Sequence, residues 1–470
     1  MRSEKLFRPF IRLMFNSHCG GIRLDEVSLM KRIGALLLCG ILLLPAAGAS
    51  GTPWPAWAAE ALAWGREKSV SRAFLASPGQ RLTRGAVARL LYESAGQPAA
   101  HEECPFSDVS EKDAAAVGWA AGQGYLTGVG DGTYEPGRPV TRQEFAAILW
   151  RQAGTPEVPV QGLERFGDAG TVSEWARDAV LWCQQAGVMA GRSGDKLAPE
   201  DTITTAEALV MLERAAGLPD VGQLRDDLEI LAAHHRPVGS QGEADAVRYL
   251  RDRFEEMGYS VTLQPYTDGQ GRTGHNVAAV KAASVPDADI LVLSAHHDSV
   301  PTAYGANDNA SGVAALLYTA EALRNVPTDT EVRFLSFTDE ENGKNGSRTC
   351  TASLTEEERT RIVGAIQFDM LGGLGSTGTL VCTVDGEANW VSDLLQKKNP
   401  GLESGVETAS DHTSFQLSGI PAVLLMQRGR GYLYHSAADT AEQLDLYAIA
   451  AAADSAAAAA EEICSADTPS

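Results

Sequence analysis

From Ile290 the chain reads ILVLSA and then stops on His296, His297 and Asp298. An unbroken apolar run of this length suits a buried strand, and turn-forming residues follow at once. The next stretch, SVPTAYGANDNASG, carries a further carboxylate, Asp308, among Gly, Asn and Ser. A buried strand thus delivers His and carboxylate side chains to its C-terminal edge, which in open α/β sheets is where ligands bind. His with carboxylate is also zinc chemistry, so the run predicts a metal-dependent hydrolase whose other ligands lie downstream.

The rest of this half has the alternation that such a sheet needs. Strand-like runs are expected at 261–266, 276–280, 290–295, 331–337, 365–370, 379–383 and 421–426. Helical patterns are expected at 225–233, 242–257, 312–324 and 440–463, with Val247, Leu250, Phe254 and Met257 on one face and Gly258 closing that helix. Strands alternating with helices predict an α/β sandwich with a largely parallel central sheet. Strand ends carry His296 and Asp298, Asp308, the Glu340-Glu341 pair and Asp369, and a late His435 follows in YLYHSAADT. Two His and three carboxylates suit two zinc ions sharing one carboxylate, with coordination positions left open for water. A formal net charge of −22 argues against nucleic acid as a partner, because a polyphosphate is held by clustered Lys and Arg.

The first half repeats itself. Residues 104–154 run from CPFSDVSEKD through GVGDGTYEPGRPVTRQEFAAILWRQAG. Residues 164–217 follow the same order, with FGD at Phe166, WARDAVLWCQQAGVMAG, a Gly/Asp turn and ITTAEALVMLERAAG. A degenerate copy occupies 53–97, and Thr83, Thr141 and Thr204 align the three. Apolar residues such as Phe145, Ile148, Leu149 and Ala153 fall at helical spacing, as expected of small helical units that bury their faces by stacking. An all-α domain of three repeats over 53–217, a linker at 218–224 and an α/β domain over 225–470 is the expected organisation. FSDV, GVGDGTYEPGRPVTRQEFA and the threefold arrangement resemble S-layer homology domains, which hold exported bacterial proteins on cell-wall polysaccharide. The resemblance implies that Arg84 and Arg142 meet an anionic glycan; Thr205 stands at that position in the third copy.

Ahead of the repeats, Lys31 and Arg32, the apolar run 33–44 and Ala47-Gly48-Ala49 read as a signal peptide in a leader spanning 1–49. Translation is expected to start at Met30 and cleavage to leave Ser50 or a neighbour first, so the mature chain is expected to be secreted and to lack a membrane span. Outside the leader stand Cys104, Cys183, Cys350, Cys382 and Cys464, none in a C-x-x-C pair, which argues against cysteine zinc ligation. Cys350 with Cys382 is a possible disulfide, and free thiols are the equal alternative.

Five motifs then fall in order: H-x-D at His296 and Asp298, N-D-N-x-S-G around Asp308, E-E-x-G-x-x-G-S from Glu340 to Ser347, F-D-M at Asp369 and Y-H at Tyr434-His435. With RPVGSQGEADAVRYLRDRFEEMGYSV from Arg236, they resemble secreted di-zinc aminopeptidases of metallopeptidase family 28, the aminopeptidase Y-like group. The resemblance implies a phosphorylase/hydrolase-like three-layer sandwich acting on peptide substrates. It implies that His296 and Asp369 bind one zinc, Glu341 and His435 the other, and Asp308 bridges them. Asp298 would orient His296, Glu340 would be the general base and Tyr434 could donate to the oxyanion. His297 reads as a bystander, Asp411 and His412 as pocket lining, and His234, His235 and His275 as surface or packing residues. A carboxypeptidase, a single-zinc glutaminyl cyclase-like enzyme and an inactive wall-bound binding protein remain as alternatives on the same fold.

Overall fold

The expected strand is β3, Ile290–His296, and every one of its residues is buried. The computed structural model describes residues 53–465 other than 100–102, 157, 159–161, 193–194, 374–375, 377, 430 and 432. The expected leader and its cleavage site lie outside the described residues. Around β3 the sheet contains β1 (Ser260–Thr267), β2 (Thr273–Lys281), β4 (Glu331–Phe337), β5 (Ile362–Phe368), β6 (Thr379–Thr383), β7 (Glu403–Val406) and β8 (Ala422–Gln427). Their order is β1-β2-β4-β3-β5-β8-β6-β7. The central pairs β4–β3, β3–β5 and β5–β8 are parallel, and β1 and β2 join as an antiparallel edge.

Period-two alternation explains why helices cover both faces. Leu291, Leu293 and Ala295 point into one core with Val313, Leu316 and Leu317 of the helix Ser311–Leu323 and Ala453 and Ala456 of the helix Leu446–Ser465. Ile290 and Val292 point into the other with Phe337, Phe415 and Ile420. Burying a side chain such as Leu293 contributes about 1.5–3 kcal/mol, and truncating it to Ala would cost about 2–5 kcal/mol.

Three differences from expectation have physical causes. The strand expected at 365–370 starts at Ile362 and ends at Phe368, so Asp369 lies just past it. The helix expected from 440 starts at Leu446, because the Asp445 carboxylate accepts the N–H groups of Tyr447 and Ala448 at 3.0 and 3.1 Å and caps it there. The edge strand β7 (ESGV) carries no alternation to read. All five described cysteines are free, with Cys350 and Cys382 in separate apolar clusters.

The helical half closes a ring. The Leu82 N–H donates to the Ile203 carbonyl at 3.0 Å, that of Val140 to Leu82 at 3.0 Å and that of Ile203 to Val140 at 2.9 Å. One step along, Arg84 donates to Arg138, Arg142 to Asp201 and Thr205 to Gln80, each at 2.9 Å, so these three residues are equivalent in the ring. Thr83, Thr141 and Thr204 cap the helices Arg84–Ser94, Arg142–Gln152 and Thr205–Ala216, and Glu144 and Glu207 complete capping boxes in the last two. The Asp of each FSD or FGD does matching work: Asp108 accepts Tyr134 and Glu135 N–H groups, and Asp168 those of Leu197 and Ala198. The two halves have separate cores that meet where the Trp182 indole donates to the Tyr447 hydroxyl at 3.1 Å. Among the described residues no helix is long and apolar enough to cross a membrane.

Candidate metal centre

Parallel pairing sets the strand ends level, and that is what gathers the site. His296 is the last residue of β3, opposite Phe337 in β4, and Asp369 follows the last residue of β5. Glu340 and Glu341 lie in the turn after β4, and His435 in the loop after β8. Asp308 sits in the turn Ala306–Ala310 that leads into the helix Ser311–Leu323.

Two triads of candidate ligands share Asp308. His296, Asp308 and Asp369 have donor atoms within 4.8 Å of one another, and so do Asp308, Glu341 and His435. Asp308 Oδ1 is 3.3 Å from His296 Nε2, which is 3.5 Å from Asp369 Oδ1. Asp308 Oδ2 is 3.1 Å from His435 Nε2, which is 3.0 Å from Glu341 Oε2. Despite these distances, both ring nitrogens of His296, His435 Nε2, Glu341 Oε1 and Asp369 Oδ1 are buried without a hydrogen bond. Buried polar atoms are rarely left so unless something else binds them, and this set is the N/O chemistry of zinc. The donors therefore fit the two ions that the sequence predicts.

Charge points the same way. Burial, then the charge of Asp308, pushes the Glu341 carboxyl up to about 8. Burial, with Asp411, Asp369 and Asp298 adding to it against His296, holds Glu340 well above the usual carboxylate range. Burial pushes Asp411 up to about 7. Burial works against the His296 cation, but Asp369, Asp298 and Asp308 raise its pKa well above 6.5. The Arg236 guanidinium lies beneath this cluster, fully buried, and donates to the carbonyls of His297, Tyr304 and Gly305 at 2.7, 2.7 and 2.8 Å. The carboxylates of this cluster outnumber the cations of Arg236, His296 and His435, and metal cations would suit such a site.

Neighbouring residues fix these side chains in place. Asp298 is 3.4 Å from His296 Nδ1 and accepts the backbone N–H groups of Glu340 and Glu341 at 3.1 and 3.2 Å. Ser410 donates to Asp369 Oδ2 at 2.7 Å. Asn307 and Asn309 accept the N–H groups of Gly372 and Met370, tying the Asp308 turn to the Asp369 loop. Ser410, Asn307, Asn309 and Arg236 carry no local sequence signal for these roles, because each works through contacts made only in the folded chain.

The remaining candidates divide by geometry. His297 is buried behind the cluster, 3.0 Å from Ser336 Oγ and 3.7 Å from Glu243, outside both triads. Tyr434 stacks on the His435 ring with centroids 3.7 Å apart. Gln367 donates to Asp411 at 3.3 Å, and His412 Nε2 lies 2.8 Å from the Glu407 carbonyl, its imidazole pushed down to about 4 by burial. His234 is exposed, and His235 packs edge-on against Tyr304.

In the helical half the two equivalent arginines differ. Arg142 is 3% exposed and donates to the carbonyls of Leu197 and Ala190 and to Glu207 at 3.0, 2.9 and 3.1 Å. Arg84 is half-buried, lies over the Tyr134 ring at 4.3 Å and lines a groove of about 240 Å³ with Arg138, Arg151 and Trp175. A separate cavity of about 670 Å³ lies by the Trp182–Tyr447 contact and contains none of the expected ligands.

Comparison with known proteins agrees with both halves. Residues 276–460 match peptidase family M28, and residues 105–146 and 165–209 match the S-layer homology domain. Aminopeptidase YwaD of Bacillus subtilis is 34% identical over 169 residues, covering 34% of this chain and 36% of that protein. Leupeptin-inactivating enzyme 1 of Streptomyces exfoliatus is 32% identical over 209 residues, covering 41% and 45%. The chain thus spans less than half the length of these two curated relatives. Among solved structures, an aminopeptidase from Aneurinibacillus sp. strain AM-1 aligns with a TM-score of 0.50 and 25% identity over 52% of this chain and 94% of its own. The fold is also that of BSAP, a zinc aminopeptidase from Bacillus subtilis, at a TM-score of 0.51 and 18% identity, over 54% of this chain and 97% of its own.

Proposed function

We infer that this chain, which joins a peptidase family M28 domain to S-layer homology domains, is an exported zinc aminopeptidase held at the bacterial cell wall. The domain limits of the reading are repeats at about 53–97, 104–154 and 164–217, a linker at 218–224 and the peptidase from 225. The single observation that carries the chemistry is Asp308, whose two oxygens face the two different His-carboxylate sets. That arrangement favours two ions over the single zinc of a glutaminyl cyclase-like site.

Two zinc ions in these triads would polarise the scissile carbonyl and acidify the attacking water. Glu340 is the general base, since its buried carboxylate, beside His296, can take one proton from that water. The water oxygen bonds to the carbonyl carbon, the C–N bond breaks, and Glu340 passes the proton to the leaving amine. Asp298 orients His296, and Tyr434, next to His435, donates to the oxyanion.

For wall attachment, an anionic polysaccharide is assigned to the Arg84 groove, where a half-buried guanidinium sits beside Arg138 and Arg151. Arg142 supports the ring through Glu207 and two carbonyls instead of facing a glycan. A fluorogenic panel of peptides with free and blocked N-termini tests the substrate assignment. Cleavage of free N-termini alone is expected; equal cleavage of blocked peptides would refute an aminopeptidase.

A further inference from the structure

His435 is the ligand least secured by its own surroundings. Its side chain is 34% exposed against 1% for His296, and it follows no strand directly. Its backbone is left-handed, with φ of 54°, which an L side chain adopts only when neighbours impose it. What holds it is a pair of turns in which Ser436 donates to the Leu433 carbonyl at 3.0 Å and Asp439 to the Ser436 carbonyl at 3.1 Å.

Asp439 closes this unit onto the bridging ligand. It is 2% exposed, and its two oxygens accept the backbone N–H groups of Asn307 at 2.7 Å and Asp308 at 3.2 Å. One carboxylate therefore joins the turn that carries His435 to the backbone that carries Asp308. The first triad has its own support, because Ser410 fixes Asp369 and Asp298 backs His296.

We propose that Asp439 is a positioning residue that sets the distance between His435 and Asp308 and thereby the affinity of the Asp308–Glu341–His435 metal position, while the His296–Asp308–Asp369 position depends on Ser410. The proposal rests on the two-ion reading. Asp439→Asn keeps one acceptor but turns an NH2 group toward a backbone N–H, so one of the two hydrogen bonds is lost and replaced by a donor facing a donor.

The test is a zinc titration of the metal-free full chain by calorimetry with a competing chelator, which needs no activity. The wild type is expected to bind two ions. Asp439→Asn is expected to hold one ion at wild-type affinity and the other about 10–100-fold more weakly, the usual effect of losing a partner behind a ligand. Ser410→Ala is expected to leave the ion that Asp439→Asn weakens closer to wild type and to weaken the other. Excess zinc should restore two bound ions in Asp439→Asn. Unchanged affinities, or equal weakening of both, would overturn the proposal. A wild type that binds fewer than two ions would instead overturn the two-ion reading. Circular dichroism of the metal-free variants separates a folding defect, and Asp439→Ser is read in the same way. If neither Asp439 variant folds, the residue serves folding and the proposal fails.

Discussion

The metal-free site should make the fold sensitive to pH in the direction opposite to ordinary acid denaturation. Glu341 is moved from an ordinary 4.5 up to about 8 by burial and the charge of Asp308. Between those values the folded state holds a proton that the unfolded state releases, so stability falls as pH rises. At about 1.4 kcal/mol per pKa unit the gap sets a ceiling of roughly 5 kcal/mol on the loss, a large part of a typical folding free energy. His435, raised by the neighbouring Asp308 carboxylate and then by that of Glu341, acts with the same sign: its contribution is complete below 6.5 and is lost as pH rises through its folded value. Asp308 is held low by His296 and His435 against burial, so its contribution is present above 3.8 and lost only in stronger acid. Zinc takes the place of these protons, and its binding strengthens as the ligands deprotonate. Urea unfolding of metal-free and zinc-loaded protein between about pH 5 and pH 8 reads this, using the transition that zinc displaces. The metal-free curve should weaken by a few kcal/mol across the window, and the gap to the loaded protein should widen. A metal-free stability that is flat or rises with pH would refute the reasoning.

Other substitutions separate the roles. Glu340→Gln should lower kcat by about 10²–10⁴-fold, with the zinc count by elemental analysis unchanged. Asp298→Ala should weaken zinc binding about 10–100-fold in a chelator competition, because it releases His296 and the two N–H groups of Glu340 and Glu341. Arg84→Ala should lose binding to purified wall polymer in a pull-down while circular dichroism shows it folded, although the Tyr134 and Thr127 carbonyls lose a donor and its melting temperature falls. Arg142→Ala should cost about 1–3 kcal/mol in thermal unfolding, since the Leu197 and Ala190 carbonyls lose a donor while Glu207 keeps Arg192 at 2.6 Å.

What could be read in the sequence was whatever local pattern dictates. The apolar run into His296 marks a strand and its functional edge together, because burial on both faces and a His/Asp stop need no tertiary knowledge. The aligned Thr83, Thr141 and Thr204 mark equivalent positions of the three repeats in the sequence, and in the structure each caps a helix. What could not be read depends on partners distant in the chain. Asp439 lies in the same short segment as His435, yet its work is done on the backbone of Asn307 and Asp308. Arg236 looks like a surface arginine until the loop at Tyr304 and Gly305 closes over it. Arg84 and Arg142 are equivalent by motif, but Glu207 of the next repeat draws Arg142 into the ring. Sequence equivalence therefore did not translate into equal exposure.

The central claim is that two zinc ions shared by Asp308 drive hydrolysis at a free N-terminus. Its most direct test is the initial rate of amine release from a leucine anilide as zinc is added stepwise to the metal-free chain. The account predicts a rate that rises to a plateau at two equivalents and disappears with a chelator. A plateau at one equivalent, or no hydrolysis at any zinc level, would contradict it.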